Sequence, residues 1–148
     1  MAKSPPERLL ESVGALLQLF TVNEERFPSA EGRMRYNPID FETLRFVHAH
    51  PGSRGVDIAE ALSVAPTTLQ SSIDRLIRTG LVDRRPHPTS KRAKAYVLTE
   101  EGGKIRDAIH RQDISNMQSV LDALTKAEQK TVIELLEKVA SRLGSPKS

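Results

Sequence analysis

Between residues 56 and 99 the spacing of apolar residues changes from helical to alternating, and the rest of the chain is arranged around this stretch. It begins with a short helical pattern in which Ile58, Ala59 and Leu62 share one face. A second helical pattern follows, whose apolar stripe recurs at positions i, i+4, i+7 and i+8 and consists of Leu69, Ile73, Leu76 and Ile77. Two helices at this separation, joined by a short turn, predict a helix-turn-helix unit.

The ends of the second helix carry residue types that prefer helix termini. Pro66 suits the first turn, because the N–H that proline lacks would have no helical partner there. Gly80 supplies the left-handed residue that closes the helix. Ala65, at the expected N-cap, is a poor capping residue, so we expect the hydroxyl of Thr67 or Thr68 to compensate.

An alternating pattern follows the second helix and predicts two β-strands. Residues 81–85 alternate between apolar and polar side chains, and residues 93–98 do so again. Residues 86–90, with two prolines, cannot continue a strand and predict the tip between the two strands. Two strands around a basic tip, directly after a helix-turn-helix unit, describe a winged helix.

Helical spacing also precedes this unit. Residues 5–20 predict a helix with a broad apolar stripe, and residues 21–36 are polar and predict a loop. Asn37 is a capping residue followed by proline, so it predicts the start of a helix that reaches about residue 50. Phe41, Leu44, Val47 and His48 continue the helical spacing towards its end.

The C-terminal third is predicted to contain two helices. The first starts at Thr99, which can cap its free N–H groups, and reaches about residue 124. Thr125 and Glu128 form a capping box, which marks the start of the second helix. Its apolar stripe is wider than the surface helix of a monomer needs and contains Val132, Ile133, Leu135, Leu136, Val139 and Leu143. Residues 144–148 predict a flexible tail.

Composition narrows the class of protein. The 148 residues suit a single domain spanning residues 1–148, with 38% apolar but only 4% aromatic residues. No run of about 18 apolar residues is present, so no membrane span is expected. The chain starts with an amphipathic helix instead of a signal-peptide core, and it has no cysteine for a disulfide or a thiol sensor. We therefore expect a cytoplasmic protein without a cofactor.

Positive charge is concentrated in one segment. Between Ser72 and Lys94 lie seven of the 22 basic residues but only two of the 19 acidic ones, which gives the segment +5 in a chain of +3. The excess positive charge thus lies on the second helix and the wing. A basic patch confined to one structural unit is typical of proteins that bind phosphates of nucleic acid.

The order of residues across this unit resembles a known family. The series Arg-Leu-Ile-Arg-Thr-Gly-Leu-Val-Asp-Arg at 75–84, followed by Lys-Arg-Ala-Lys-Ala-Tyr-Val-Leu-Thr-Glu-Glu-Gly at 91–102, resembles the multiple-antibiotic-resistance regulator (MarR) family of bacterial transcription factors. The resemblance covers nearly the whole chain and implies a mainly α fold with a small β-wing. A winged helix-turn-helix region would occupy about residues 37–99, with dimerisation helices at about 5–21 and 100–143.

The resemblance also implies a function. Members of the family are sequence-specific regulators that bind double-stranded DNA as homodimers, commonly as repressors that a small organic effector releases. A two-fold dimer presents two recognition helices to adjacent major grooves of a pseudo-palindromic operator. Nothing in the sequence identifies the effector, and the residues that would bind it are not singled out.

The second helix would be the recognition helix. By the family's motif, Thr67, Thr68 and Ser71 lie on its exposed start and would face base edges. Gln70 and Ser72 lie close by, and a glutamine can bind adenine through two hydrogen bonds. Short hydroxyl side chains donate or accept, so they read a sequence weakly.

The basic side chains would hold the backbone of the DNA. Arg75 and Arg84 are expected to contact phosphates, and Lys91 and Arg92 lie at the tip of the wing. Arg92 matches the wing-tip arginine of the family, which would enter an A·T-rich minor groove. The family often has an aspartate where this chain has Ser90, so we expect Arg92 to be held less rigidly here.

The other function classes find less support. An enzyme is not predicted, since the chain has no glycine-rich phosphate loop and no nucleophile elbow, and its four histidines are scattered. A metal site at His110 with Asp107 or Asp113 is geometrically possible, but one histidine supports it weakly. Two alternatives stay open, namely a winged helix that binds protein as an assembly module and a regulator of a neighbouring winged-helix family.

Overall fold

The computed structural model describes residues 2–21 and 37–144. This part of the chain is mainly helical with a small antiparallel sheet, as the sequence predicts. The elements, in chain order, are α1 Pro5–Thr21, α2 Pro38–Ala49, β1 Ser53–Arg54, α3 Gly55–Leu62, α4 Pro66–Arg78, β2 Val82–Pro86, β3 Lys94–Leu98, α5 Glu100–Asp122 and α6 Lys126–Leu143. The loop was predicted for residues 21–36, but Thr21 is the last residue of α1, and residues 22–36 lie outside the described residues. Of the tail predicted for residues 144–148, only Gly144 is described, and it follows α6.

Side-chain caps set the starts of three helices where the sequence predicts them. The Asn37 side chain accepts a hydrogen bond from the backbone N–H of Ile39 at 3.0 Å. The Thr99 hydroxyl accepts one from the N–H of Gly102, also at 3.0 Å. Thr125 accepts from the N–H of Glu128 at 3.2 Å, and the Glu128 carboxylate accepts in return from the N–H of Thr125 at 2.9 Å.

Helix α4 ends as predicted but begins differently. Gly80 has φ +79°, so it adopts the left-handed conformation that closes the helix. The expected compensation by Thr67 or Thr68 is wrong, because no side-chain hydrogen bond caps the start of α4 at Ala65. Pro66 at the first helical position leaves one N–H fewer to satisfy there.

The wing is a three-stranded antiparallel sheet in the order β1-β3-β2. Tyr96 in the central strand is paired with Ser53 on one side and Arg84 on the other. The sequence does not predict β1, since two residues are too few for an alternating pattern. It also places Pro86 in the tip, whereas Pro86 is the last residue of β2 and is paired with Lys94. An edge strand such as β2 tolerates proline, whose missing N–H no neighbouring strand requires there.

The chain divides into two compact units, Met1–Gln112 and Asp113–Ser148. The first unit contains the hydrophobic core, built on α2, α3, α4, the sheet and the first half of α5. Its fully buried large side chains include Leu44, Val47, Ile58, Leu69, Ile73, Leu76, Leu81 and Val82. His48 lies in the last turn of α2, as the helical spacing predicts, and its side chain is exposed.

The second unit contains the end of α5 and all of α6. The Gln129 side-chain amide donates to the carbonyls of Leu121 at 2.9 Å and Leu124 at 3.2 Å, which joins the two helices across their connection. No helix of the described chain is long and apolar enough to cross a membrane.

The start of α5 approaches the end of the helix-turn-helix unit very closely. The Leu81 carbonyl accepts from the Thr99 N–H at 3.1 Å, and the Thr99 hydroxyl donates to the Gly80 carbonyl at 2.6 Å. A Cβ added at Gly102 would overlap the Leu81 carbonyl, whereas a Cβ at Gly103 would meet nothing within 4 Å. The first of these two adjacent helical glycines is therefore required by packing, and the second is not.

The two glycines provide a matched pair of variants. We expect Gly102→Ala to destabilise the protein by about 1–3 kcal/mol, because the backbone at Leu81 must move to admit a methyl group. We expect Gly103→Ala to stabilise it by up to about 1 kcal/mol, because alanine loses less entropy than glycine in a helix. Urea unfolding at one fixed protein concentration measures both free energies, and equal effects of the two substitutions would contradict the packing argument.

Candidate nucleic-acid interface

Helix α4 presents opposite faces to the core and to solvent. Leu69, Ile73 and Leu76 are at most 2% exposed and anchor one face in the core. The opposite face carries three exposed hydroxyl side chains, which we call the hydroxyl face and which are Thr67, Thr68 and Ser71. The hydroxyl of Ser71 donates to the Thr67 carbonyl at 3.1 Å, so its oxygen lone pairs remain available to a ligand. The three residues lie where the sequence analysis placed them.

Gln70 and Arg84 meet at one carboxylate. The Gln70 amide donates to Asp74 Oδ1 at 2.9 Å, along the same helix. The Arg84 guanidinium in β2 lies 3.9 Å from the same oxygen. All three side chains are exposed, so this arrangement is loose and open to exchange with water or a ligand.

Ser72 does not belong to the exposed surface, so the expectation that it contacts DNA is wrong. The residue is fully buried, and its hydroxyl donates to Asp40 Oδ1 of α2 at 2.6 Å. The Ser72 oxygen also lies 3.3 Å from the Thr43 hydroxyl, which donates to the Ile39 carbonyl. Ser72 is one residue beyond the hydroxyl face, and a rotation of about 100° per residue turns its side chain inward.

Arg75 is bound to Asp40 through two N–H groups on one edge of its guanidinium. Its Nη2 donates to Asp40 Oδ1 at 2.8 Å and its Nε donates to Asp40 Oδ2 at 3.1 Å. Asp40 is only 3% exposed, while the side chain of Arg75 remains 38% exposed. The hydrogen bonds from Arg75 to this carboxylate raise the pKa of the guanidinium above its ordinary value.

Sequence reasoning missed Asp40 altogether. It lies 35 residues from Arg75, and no local pattern connects the two positions. The available signal was an acidic residue at the start of α2 that shares a face with Thr43 and Leu44, which are both fully buried. An acidic residue in the first turn of a helix is ordinarily explained by the helix dipole. Nothing in the sequence therefore indicated that Asp40 also binds Ser72 and Arg75.

The wing tip is shaped by Ser90 and carries free cations. The Ser90 hydroxyl accepts a hydrogen bond from the Ala93 N–H at 3.3 Å, so it stabilises the turn. Lys91 and Arg92 are exposed, and neither has an acidic partner within residues 2–21 and 37–144. Arg92 is thus not braced by Ser90.

Five basic side chains of α4 and the wing are exposed and have no ion-pair partner in the part of the chain that the structure describes. We call them the basic cluster; they are Arg78, Arg85, Lys91, Arg92 and Lys94. Arg75 and Arg84 are excluded, because each lies within 4 Å of a carboxylate. The cluster and the hydroxyl face belong to the same winged-helix unit, in which Arg84 of β2 approaches Asp74 of α4 at 3.9 Å. One unit thus carries polar groups suited to base edges and cations suited to phosphates.

Known sequences match this chain mainly over the winged-helix unit. A sequence model of the MarR family matches residues 36–93, which run from the start of α2 to the wing tip. The multiple antibiotic resistance protein MarR of Escherichia coli K12 is 36% identical over 87 residues, or 57% of this chain. The match covers 59% of that protein, so the chain aligns over less than two thirds of its curated relative.

Solved structures extend the likeness to nearly the whole chain. Apo MarR of Escherichia coli has a TM-score of 0.73 at 26% identity, covering 93% of this chain and 98% of that one. Streptococcus pneumoniae FabT, solved in complex with DNA, has a TM-score of 0.77 at 17% identity, with 95% and 99% covered. The PcaV regulator of Streptomyces coelicolor, solved with its natural ligand, has a TM-score of 0.63 at 22% identity, with 95% and 98% covered.

The FabT and PcaV structures, at their low identities, bear on the fold alone. The family match, the Escherichia coli relative and the helix-turn-helix with its wing agree with one another at the level of sequence and structure. Over residues 36–93 the chain matches the MarR family of winged-helix transcriptional regulators, and the fold of the described residues is similar to that of a solved member of the family.

Proposed function

We propose that this protein is a transcriptional regulator that binds double-stranded DNA as a homodimer. The observation that carries the proposal is that one winged-helix unit exposes both the basic cluster and the hydroxyl face. A likeness in fold to FabT, which was solved in complex with DNA, supports it. The uneven charge argues against a module that binds only protein, because a protein-binding wing does not need unpaired cations.

In this proposal α4 enters the major groove and the wing follows the backbone. Thr67, Thr68 and Ser71 contact base edges, since they are exposed on the face opposite the buried stripe. Arg92 at the wing tip enters the minor groove, where a narrow A·T-rich segment attracts cations. The weak ion pair of Arg84 with Asp74 leaves Arg84 free to exchange its carboxylate for a phosphate.

The second subunit covers the apolar faces of the terminal helices. In α1 the exposed apolar side chains are Leu9, Leu10, Val13, Leu16, Leu17 and Leu19, between 43% and 72% exposed. In α6 they are Ile133, Leu135, Leu136, Val139 and Leu143, between 43% and 84% exposed. Contiguous apolar surface of this kind is typical of association, and the proposed dimer matches the two-fold symmetry of a palindromic site.

The proposal includes regulation by a small organic effector that weakens DNA binding, so that the protein acts as a repressor. The PcaV regulator, which shares the fold, was solved with its natural ligand. The family resemblance of the chain favours the same kind of control. No residue of this chain is assigned to that effector.

Salt dependence tests the DNA-binding proposal. Affinity for a labelled duplex should fall steeply with salt, because each phosphate neutralised contributes about −0.9 to the log-log slope. Contacts from about three basic residues per subunit of a dimer imply a slope on the order of −5. Arg92→Gln should reduce the magnitude of the slope, whereas Arg111→Gln, an exposed arginine of α5 outside the basic cluster, should not. A flat response between low and physiological salt would contradict the proposal.

Substitutions on α4 and on the wing should distinguish recognition of the base sequence from binding to the DNA backbone. Duplexes with a randomised centre, enriched by repeated selection on the wild-type protein, provide an operator and a scrambled control. Thr68→Ala or Ser71→Ala should relax the preference for the operator by about tenfold and leave affinity for the scrambled duplex nearly unchanged. Arg92→Ala should weaken both duplexes, and more so those with A·T-rich flanks.

Competition titrations measure these affinities. If Arg92→Ala leaves both duplexes bound normally while Thr68→Ala weakens both equally, the roles assigned to α4 and the wing are reversed.

A charge placed in the apolar stripe of α6 tests the dimer. Leu136 is 63% exposed in one chain, so Leu136→Glu costs the isolated chain little but would place a carboxylate in the proposed dimer contact. Light scattering should show twice the mass of one chain for the wild-type protein and a shift towards one chain for the variant. Val56→Glu is the matched control, since Val56 is 59% exposed on α3, outside the terminal helices. A monomeric wild-type protein that binds a palindromic duplex tightly would contradict the dimer.

A further inference from the structure

We propose that Asp40 of α2 is a positioning residue for DNA recognition, which fixes the rotation of α4 and restrains Arg75 from contacting phosphates without selectivity. The inference rests on the proposed function. Asp40 is 3% exposed and cannot itself touch DNA, so its effect on recognition would pass through the two residues of α4 that it binds.

The carboxylate makes three directional contacts with a single helix. Ser72 donates at 2.6 Å, and Arg75 donates at 2.8 Å and 3.1 Å. Ser72 and Arg75 lie three positions apart, so the contacts span almost one turn of α4. Apolar packing around them fills space but has no preferred direction, whereas hydrogen bonds weaken steeply when their angles change. The Asp40 contacts therefore set how far α4 is rotated about its axis.

Small rotations matter at the hydroxyl face. A helix with its side chains has a radius of about 5 Å, so a rotation of about 20° moves a surface group by about 2 Å. That displacement exceeds what a hydrogen bond between a hydroxyl and a base edge tolerates. Ser72, which binds Asp40, directly follows Ser71 of the hydroxyl face in the sequence. A change at Ser72 would therefore be transmitted directly to the hydroxyl face.

The pairing also controls charge. Arg75 is 38% exposed, and the nearest acid to its guanidinium is the Asp40 carboxylate. Released from Asp40, the side chain is long enough to reach solvent beside the basic cluster and bind phosphates of any sequence. The ion pair with Asp40 therefore limits nonspecific affinity for phosphates. A larger share of the binding free energy then comes from contacts of the hydroxyl face with base edges.

Asp40→Asn tests both effects without changing the volume of the side chain. An amide has one oxygen and one NH2 group, so in either orientation it points a donor at a donor of Arg75. We expect affinity for the scrambled duplex to rise, its salt slope to steepen by about 0.9 per subunit, and discrimination between operator and scrambled duplex to fall by about tenfold.

The double variant Asp40→Asn, Arg75→Gln separates rotation from charge. Without the freed cation, the salt slope should return to that of the wild-type protein, while discrimination stays low because α4 is still unanchored. Val47→Ala is the matched control, since Val47 is fully buried on the same helix and lies outside the polar network. It should lower stability and leave both the slope and the discrimination of the active protein unchanged.

Active protein is counted by stoichiometric titration, so loss of folded molecules does not enter the ratios. If Asp40→Asn does not fold, Arg75→Lys tests the inference in its place. Lysine keeps the positive charge but cannot donate two parallel hydrogen bonds to the carboxylate. We therefore expect this variant to lose discrimination without losing affinity for the scrambled duplex. Wild-type discrimination retained by Asp40→Asn, or by Arg75→Lys where it is the variant that folds, overturns the inference. A wild-type protein that shows no salt-dependent DNA binding overturns the proposed function, and the inference with it.

Discussion

Helix α4 must bury one face completely while its opposite face stays open to solvent, and the rest of the winged helix is arranged around that requirement. Leu69, Ile73 and Leu76 are inserted among side chains of α2, α3, the sheet and α5. Burial of three such side chains contributes on the order of 5–9 kcal/mol, which secures the position of the helix. It does not secure its rotation, because apolar contacts have no direction. The buried polar contacts from Asp40 to Ser72 and Arg75 supply the direction that the core lacks.

A charged group in this place is not explained by stability alone. Removing the Asp40 carboxylate from water costs several kcal/mol, whereas the Arg75 guanidinium, with a side chain 38% exposed, keeps part of its hydration. Well-packed apolar residues of similar volume often stabilise a core equally well or better. Loss of Arg75 alone would leave the buried Asp40 carboxylate without its cation, so the burial of Asp40 as an anion requires Arg75. The network is thus better understood as a device for orientation than as a source of stability.

Most of the fold could be predicted from helical periodicity and capping residues, because both depend on residues close together in the sequence. The stripe of α4, the closing Gly80 and the capping box at Thr125 depend on residues a few positions apart. What was missed depends on distant partners: β1 exists because Ser53 meets Tyr96, and Pro86 stays in β2 because that strand lies at the edge. The candidate site also divides into features that depend on nearby residues, which were predicted, and features that depend on distant ones, which were missed. The hydroxyl face came from the helical period, whereas the burial of Ser72 and the capture of Arg75 require Asp40, 35 residues from Arg75 in the chain.

Within residues 2–21 and 37–144, two kinds of surface lack a partner, and different forces act on them. The terminal helices expose leucines whose association depends on apolar area and is nearly insensitive to moderate salt. The basic cluster attracts anions through long-range forces that salt screens within about 10 Å at 0.1 M. Under the proposed function, DNA would therefore be released by salt well before the subunits separate. A regulator built in this way exchanges DNA sites as an intact dimer, so the spacing between its two reading helices persists from one encounter with DNA to the next.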